Sequence, residues 1–389
     1  MAALTTKQIL LMAATAGISV ANVYYSQPIL NAIAHSFHLE VEKAGVISVL
    51  SQAGYGFGLF FLTPAGDMID RKKLVLYLQG GLMLSLLLFA FSTHLYLLYA
   101  ASFLVGVFSV VAQVILPMAA SLVTENRGKT IGQVFTGILV GILVARVFSG
   151  FVSGWLGWQY VYGFSALMVL GTAVLMQAGF PSVPQRFTGT YRGLLQSTLA
   201  QLGRFPLLRQ TALTGMLVFG TLSAFWVTLT FYLGEAPFHY SAATIGLFGL
   251  LAAAGALAAP LFGKLADGGS VSRSLLFSTG LTLLSVLLLK LFPGTLAAIW
   301  IAVILLDIGV QATQVTNIAV IYGLDPGANS RINTVYMTSY FIGGALGASG
   351  GIHFYNTGGW AWSTSLMIVL GLITLLNVAA TARLQKQQG

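Results

Sequence analysis

Long apolar runs, each closed by a short polar segment, recur along the whole chain, at approximately residues 8 to 34, 44 to 66, 74 to 93, 95 to 121, 129 to 155, 159 to 180, 207 to 234, 241 to 263, 274 to 292, 295 to 322, 332 to 354 and 360 to 382. Each approaches or exceeds the ~20 residues that an α-helix needs to cross the apolar core of a bilayer. The pattern predicts twelve spans in two groups of six. Between the groups lies the longest polar stretch, Pro181 to Pro206, broken by Pro184, Gly189, Gly193 and Gly203 and charged by Arg186, Arg192 and Arg204. The expected organisation is a six-helix half over residues 1–180, a linker over 181–206 and a second six-helix half over 207–389. Within the linker, Leu194, Leu195, Leu199 and Leu202 recur at nearly helical spacing, which predicts a short helix lying on the membrane surface. The first run is longer than a signal-peptide core, has only Lys7 ahead of it and shows no small-residue cleavage site, so it is expected to be retained. The predicted fold class is an all-α integral membrane protein built of two pseudo-symmetric six-helix bundles.

Composition agrees. Hydrophobic side chains make up 57% of the 389 residues and charged ones 7%, whereas soluble domains carry roughly 25% charged residues. The net charge of +9 would suggest nucleic acid as the partner of a soluble protein. With the N-terminus placed in the cytoplasm, however, fifteen of the eighteen basic residues fall on the cytoplasmic side, only Lys43 and Lys290 fall opposite, and Arg146 lies within a span. Such asymmetry is an orientation signal. It excludes nucleic acid as the reason for the charge and places both termini in the cytoplasm, in the cell's inner membrane. His35, His38, His94, His239 and His353 all fall at or near the outer face, either as incidental loop residues or as a pH-sensitive cluster. Without cysteine there is no disulfide, thiolate metal site or cysteine nucleophile. The nine acids are dispersed and no phosphate-binding glycine loop occurs, so neither enzyme, cofactor nor metal is expected.

The second group of spans repeats the first. Gly66 and Asp70 match Gly263 and Asp267 at an offset of 197, Gly141 and Gly157-Trp158 match Gly343 and Gly359-Trp360 at 202, and Gln113 matches Gln314 at 201. Parallel copies of this kind are a transporter architecture. The segment Gly66, Asp67, Met68, Ile69, Asp70, Arg71 resembles the loop signature of the major facilitator superfamily, and Gly263 to Asp267 resembles its second-half counterpart. It departs from the fuller pattern in that Lys72 and Lys73 follow Arg71 with no glycine between them. The resemblance implies a monomeric transporter in which Gly66, Asp67, Asp70, Arg71, Gly263 and Asp267 form a gating loop, with charge pairing by Asp70 and Arg71 that stabilises the outward-facing state. In span five, Gly137, Gly141, Ala145, Arg146, Ser149 and Gly150 follow the spacing of a glycine-rich signature similar to that of proton-coupled antiporters, the drug:proton branch especially. Here Arg146 stands where that signature has proline, and small residues four apart also serve close helix packing. Span eleven repeats the texture with Gly343, Gly347 and Gly351, but Ala348 stands in the place of Arg146.

Two charges lie well inside spans, Arg146 in span five and Asp307 in span ten. Intramembrane charges are functional hypotheses by default. Arginine keeps its proton under essentially all conditions, which makes Asp307 the candidate proton carrier, with His353 as runner-up. The structural alternatives are a carboxylate held permanently by neighbouring donors and an arginine that caps carbonyls or packs. Polar and aromatic stripes nominate a substrate cavity. They are Asn22, Tyr25 and Gln27 in span one, Gln52 and Tyr55 in span two, Gln113 in span four, Phe225 and Trp226 in span seven, Gln311 and Gln314 in span ten, and Tyr336 and Tyr340 in span eleven. In the family that the chain resembles, spans one, four, seven and ten line the central cavity. The expected function is alternating-access export of a small hydrophobic or amphiphilic compound, driven by protons. A proton symporter or uniporter for a sugar, nucleoside or other nutrient is the alternative, and a non-transporting membrane sensor or scaffold is the alternative of another class.

Overall fold

The computed structural model describes residues 4–123, 127–183, 189–253, 255 and 271–388. Gly263 and Asp267, the second half of the expected gating loop, lie outside the described residues. Helices account for nearly all of what is described, and no strand occurs among these residues. In chain order they are α1 Thr6–Ala21, α2 Ser26–Phe37, α3 Val41–Phe61, α4 Arg71–Ala90, α5 Leu95–Phe108, α6 Val111–Leu122, α7 Arg127–Leu156, α8 Trp158–Gly179, α9 Tyr191–Arg204, α10 Pro206–Gly234, α11 Ala242–Leu251, α12 Val271–Leu291, α13 Leu296–Tyr322 and α14 Asn329–Gln388.

Among the described residues nine helices are long and apolar enough to cross a membrane, or ten if the bent pair α1–α2 is one span. The twelve expected spans are consistent with this number. One of the nine, Asn329–Thr381, has 53 residues, about 80 Å at ~1.5 Å per residue, far more than a bilayer's ~30 Å core. It is broken at Gly358 and Gly359, where Gly359 takes a φ of 64°. The apolar helix α11 is the described beginning of the eighth predicted run. Large apolar side chains such as Trp155, Leu167, Leu346 and Leu376 are exposed, as lipid-facing surfaces require. Serines and threonines are buried instead, and Ser51, Ser102 and Thr228 return their hydroxyls to carbonyls four residues back, which satisfies polar groups away from water.

Close packing is set by glycines at equivalent places in the two groups of helices. A Cβ on Gly141 of α7 would overlap the carbonyl of Gly17 in α1, and a Cβ on Gly347 of α14 would overlap that of Gly220 in α10. Backbones approach here without side chains between them, the small-residue packing of membrane helices. The first and fourth spans are interrupted. The first bends by 40° between α1 and α2, across Asn22–Tyr25, just ahead of Pro28, which has no N–H with which to continue the ladder. The fourth breaks at Ser109 and Val110 between α5 and α6, in the span that also carries Pro117. Their counterparts α10 and α13 run unbroken. In the connector, α9 is capped by Thr190 and buries Leu194, Thr198 and Gln201, whereas Leu199 is exposed. Its inward face carries Leu194 with the half-buried Leu195 and Leu202 of the leucine stripe, joined by Thr198 and Gln201, and it packs against α10 and α14.

Candidate functional site

A cavity of about 660 Å³ lies between the two groups of helices. Its mouth is at the face that carries Arg71, Lys72 and Lys73, where Gly66, Asp67, Arg71, Asn329 and Asn333 line it. At depth it meets Tyr24, Arg146, Phe219, Asp307 and Tyr340. Along the helices Arg146 stands about 15 Å from the Leu156 end of α7 and Asp307 about 17 Å from the Leu296 end of α13, at ~1.5 Å per residue. The base and the acid therefore come from different groups of helices at nearly the same level.

From this level to the opposite face the cavity is shut by contacts between the groups. Asn31 Nδ2 donates to the carbonyl of Thr230 at 2.9 Å, and Thr230 Oγ1 donates to the carbonyl of Gln27 at 2.8 Å. Ser223 Oγ donates to Gln52 Oε1 at 2.8 Å. A Cβ on Gly249 of α11 would lie 2.9 Å from Arg146 Cβ, so these helices need small residues where they cross. At the rim, His353 Nδ1 lies 3.9 Å from Glu42 Oε1, and Asn356 Nδ2 donates to Glu42 Oε2 at 3.2 Å. The cavity is open at one face and closed at the other.

Arg146 is held by specific contacts. Its Nε donates to Gln27 Oε1 at 3.0 Å. Its guanidinium lies over the Trp226 ring at 4.0 Å and faces the Tyr24 ring at 5.2 Å, a stacked arrangement suited to a weakly hydrated planar cation. Asp307 is buried, and its Oδ2 has no hydrogen-bond partner among the described residues. Gly255 provides the space beside it, since a Cβ there would lie 2.7 Å from the Asp307 carbonyl. Among the described residues Arg146 and Asp307 form no ion pair within 4 Å, although both line the cavity.

The structure brings Tyr55, Gln113, Arg146, Asp307, Gln311, Gln314 and Tyr340 to the cavity wall. It places others of the sequence-predicted set behind that wall. Asn22 bonds to Ile18 and accepts from Ser165, Tyr25 packs on Phe148 and Tyr162, Phe225 packs on Trp226 and Trp360, and Tyr336 accepts from Asn317. Gln27 and Trp226 hold Arg146, and Gln52 bridges the groups. His353 sits at the exposed rim of the closed face, far along α14 from the cavity. Tyr24 and Phe219 are wall residues absent from the predicted set. The signal for Tyr24 is the break ahead of Pro28, which turns its ring to the cavity in place of that of Tyr25. Phe219 stacks on Tyr340 with ring centroids 4.0 Å apart, and no feature of the sequence separates it from its apolar neighbours.

The charged loop at the mouth is anchored within the first group of helices. Arg71 donates to the carbonyls of Gly66 and Pro117 and pairs with Asp67 at 3.1 Å. Asp70 caps α4 through the Lys73 N–H at 3.0 Å and accepts from the Ser182 hydroxyl and from the Val183 N–H at 2.6 Å. Burial works to raise the Asp70 carboxyl. Hydrogen bonds from Ser182 and from the N–H groups of Lys73, Val183 and Lys72 outweigh it and hold the group below the usual carboxylate range. Lys72 Nζ donates to the carbonyls of Gln177 and Phe180 at the end of α8, where a cation suits the helix terminus. Gly66 has only side chains near its absent Cβ, Leu74 at 3.3 Å and Val114 at 3.7 Å, so no backbone crossing depends on it.

Known proteins share both the sequence pattern and the architecture. The profile of the Major Facilitator Superfamily matches residues 10–348. The uncharacterized transporter YgaY of Escherichia coli is 37% identical over 373 residues, covering 95% of this chain and 94% of that protein. A probable sugar efflux transporter of Helicobacter acinonychis is 25% identical over 339 residues, 85% of this chain and 84% of its own length. The crystal structure of a bacterial homologue of the human lysosomal transporter Spinster, inward-facing and occupied, superposes with a TM-score of 0.75 at 13% identity, covering 96% of each chain. At that identity the likeness shows the fold.

Proposed function

The chain belongs to the major facilitator superfamily, and on that premise we propose that it exports a small amphiphilic organic compound by alternating access coupled to inward proton movement. It is a membrane transporter and not an enzyme, and its fold implies a small-molecule substrate. The observation that carries the proposal is the cavity between the two groups of helices, open at one face, shut at the other, with Arg146 and Asp307 facing it from opposite groups. In this reading residues 1–180 and 207–389 are the rocking halves and 181–206 is their connector. The open face is cytoplasmic, as the basic loops around it suggest, both termini lie on that side, and the chain works as a monomer in the inner membrane.

Asp307 takes up a proton when the cavity opens outward and releases it when the cavity opens inward. Its carboxylate is the exchangeable group at the level of the cavity, whereas Arg146 keeps its charge throughout. Tyr24, Tyr55, Gln113, Phe219, Gln311, Gln314 and Tyr340 offer an aromatic wall with a few polar groups, the usual chemistry of an organic-ligand site. The mouth loop from Gly66 to Arg71 acts as the inner latch, exchanging its contacts within the first half for contacts across the halves when the basic face closes. The resemblance of span five to the drug:proton antiporter signature and the name of the sugar efflux relative both favour export. Reconstitution in proteoliposomes with an imposed pH gradient tests the proposal. Proton-dependent transport is expected for the natural chain and its loss for Asp307→Asn; wild-type proton-dependent rates in that variant would reject Asp307 as the carrier.

A further inference from the structure

We propose that the transported compound is a dipolar amphiphile, whose carboxylate docks on Arg146 and whose ammonium docks on Asp307. The inference rests on the transporter reading and specifies the substrate class of that same cavity. Arg146 and Asp307 are only 3% and 5% exposed, yet each is incompletely partnered. Arg146 makes a single side-chain hydrogen bond, through Nε, which leaves its terminal nitrogens without hydrogen-bond partners among the described residues. Asp307 Oδ2 is likewise without one. The two share one cavity but make no contact ion pair, so the space between them can be bridged from within.

Solvation costs select among ligand classes. A neutral compound that displaced water from the cavity would leave two buried charges without solvent and with no contact partner, each facing only the other across the cavity, which is unfavourable. A simple cation or anion would neutralise one charge and strand the other. A molecule with both charges satisfies both, and its apolar body meets Tyr24, Phe219 and Tyr340 along the wall. The position of the base adds specificity. Stacking on Trp226 and bonding to Gln27 fix the plane of the guanidinium, and a fixed fork recognises a planar carboxylate.

The same geometry couples the substrate to the proton. Asp307 shares its surroundings with Arg146 of α7, with Tyr24 between α1 and α2, and with Tyr340 of α14. Of these, Asp307 is the one carboxylate, a group that either an ammonium or a proton can neutralise. An ammonium and a proton therefore compete for one carboxylate. Protonation discharges the carboxylate and releases the ammonium, and ammonium binding displaces the proton into the cavity water, so the charges balance in each direction of an antiport cycle.

The test uses purified full-length protein and two aromatic scaffolds, phenylalanine and phenylalanyl-glycine. Each is presented as the free zwitterion, the N-acetyl form, the C-terminal amide and the doubly blocked form, with a neutral disaccharide as a further probe. Thermal stabilisation reports binding. The expected result is that a zwitterion binds at least about tenfold more tightly than its singly blocked forms, tenfold being one lost charge contact of modest strength. Arg146→Gln should abolish the carboxylate preference and leave the ammonium preference, Asp307→Asn should do the reverse, and Arg146→Lys should keep the preference for a carboxylate. Should a variant not fold, the natural chain still decides the matter. Acidification from about pH 8 to about pH 5.5 should weaken zwitterion binding, because protons then compete with the ammonium for Asp307, and should spare the N-acetyl form. Equal stabilisation by the doubly blocked form or the disaccharide, selectivity unchanged by both substitutions, or no stabilisation by any probe at millimolar concentration overturns the inference. Vesicle flux is scored separately. Disaccharide transport without charge preference removes the inference and leaves the transporter reading standing; zwitterion-selective binding without flux does the opposite.

Discussion

The two groups of helices solve the same packing problem in the same way and then diverge at the level of the cavity. In both, a glycine of the first span of the group meets glycines of the fifth, Gly17 with Gly137 and Gly141, Gly220 with Gly343 and Gly347. Even the outer ends agree. His38 and His239, 201 positions apart, both adopt left-handed backbone, with φ of 51° and 48°, which histidine tolerates better than most residues. At cavity depth the first group has a base and breaks in its first and fourth spans, whereas their counterparts α10 and α13 run unbroken and α13 carries an acid. A repeated scaffold thus supplies the close crossings on which rigid halves can rock, and the departures from repetition supply the chemistry.

The largest expected effect falls on the shared feature. Gly141→Val and Gly347→Val each force a side chain into a backbone crossing, and each should cost about 3 kcal/mol or more, seen as loss of monodisperse protein on extraction. Tolerance of one but not the other would break the equivalence of the halves. Next comes the unshared feature. Arg146→Gln and Asp307→Asn each leave the opposite buried charge without its counter-charge, so the double variant should melt above the value that the single effects sum to, with a coupling of about 1–3 kcal/mol. Additive melting shifts would show that the two groups do not sense one another.

Arg146→Lys retains charge and gives up the fork and the stacking on Trp226 and Tyr24, an effect of about 1 kcal/mol on stability, with a larger loss of transport because geometry is what is removed. Glu42→Gln removes the exposed contact to His353 and Asn356 across the outer rim. It should change stability by less than about 1 kcal/mol while raising the accessibility of the cavity from that face. The smallest effect is expected from Asp70→Asn. Because its folded-state carboxyl is held below the ordinary range, Asp70 contributes stability that is complete above that range and is lost as the pH falls through its own titration. The largely exposed site limits this to under about 1 kcal/mol. Natural chain and variant should therefore differ in melting temperature at neutral pH and converge in acid.

The apolar helices and the glycine crossings were legible in the sequence because bilayer thickness and close backbone approach leave periodic marks. Asp307 and Arg146 were legible because charge is rare in apolar runs. Their separation was not, since the depth of one helix against another depends on the crossing, and Gly249 beside Arg146 marks that crossing only once the partner helix is known. Polar stripes nominated Asn22, Gln27 and Gln52 for the cavity wall, yet these bond to other helices. In a membrane protein a polar side chain facing a neighbouring helix and one facing a cavity leave the same trace. Tyr24 and Tyr25 are adjacent, and only the bend between α1 and α2 decides which ring faces the cavity.

The chain has no cysteine, which permits a direct test of alternating access. A single cysteine in place of Gln311, which lines the cavity, can be labelled by a membrane-impermeant maleimide in vesicles of either orientation. The account predicts labelling from the basic face in resting membranes, and a shift of reactivity to the opposite face under an inward proton gradient, with the two exposures mutually exclusive. Labelling from one face under every condition, or from both faces at once, would contradict it.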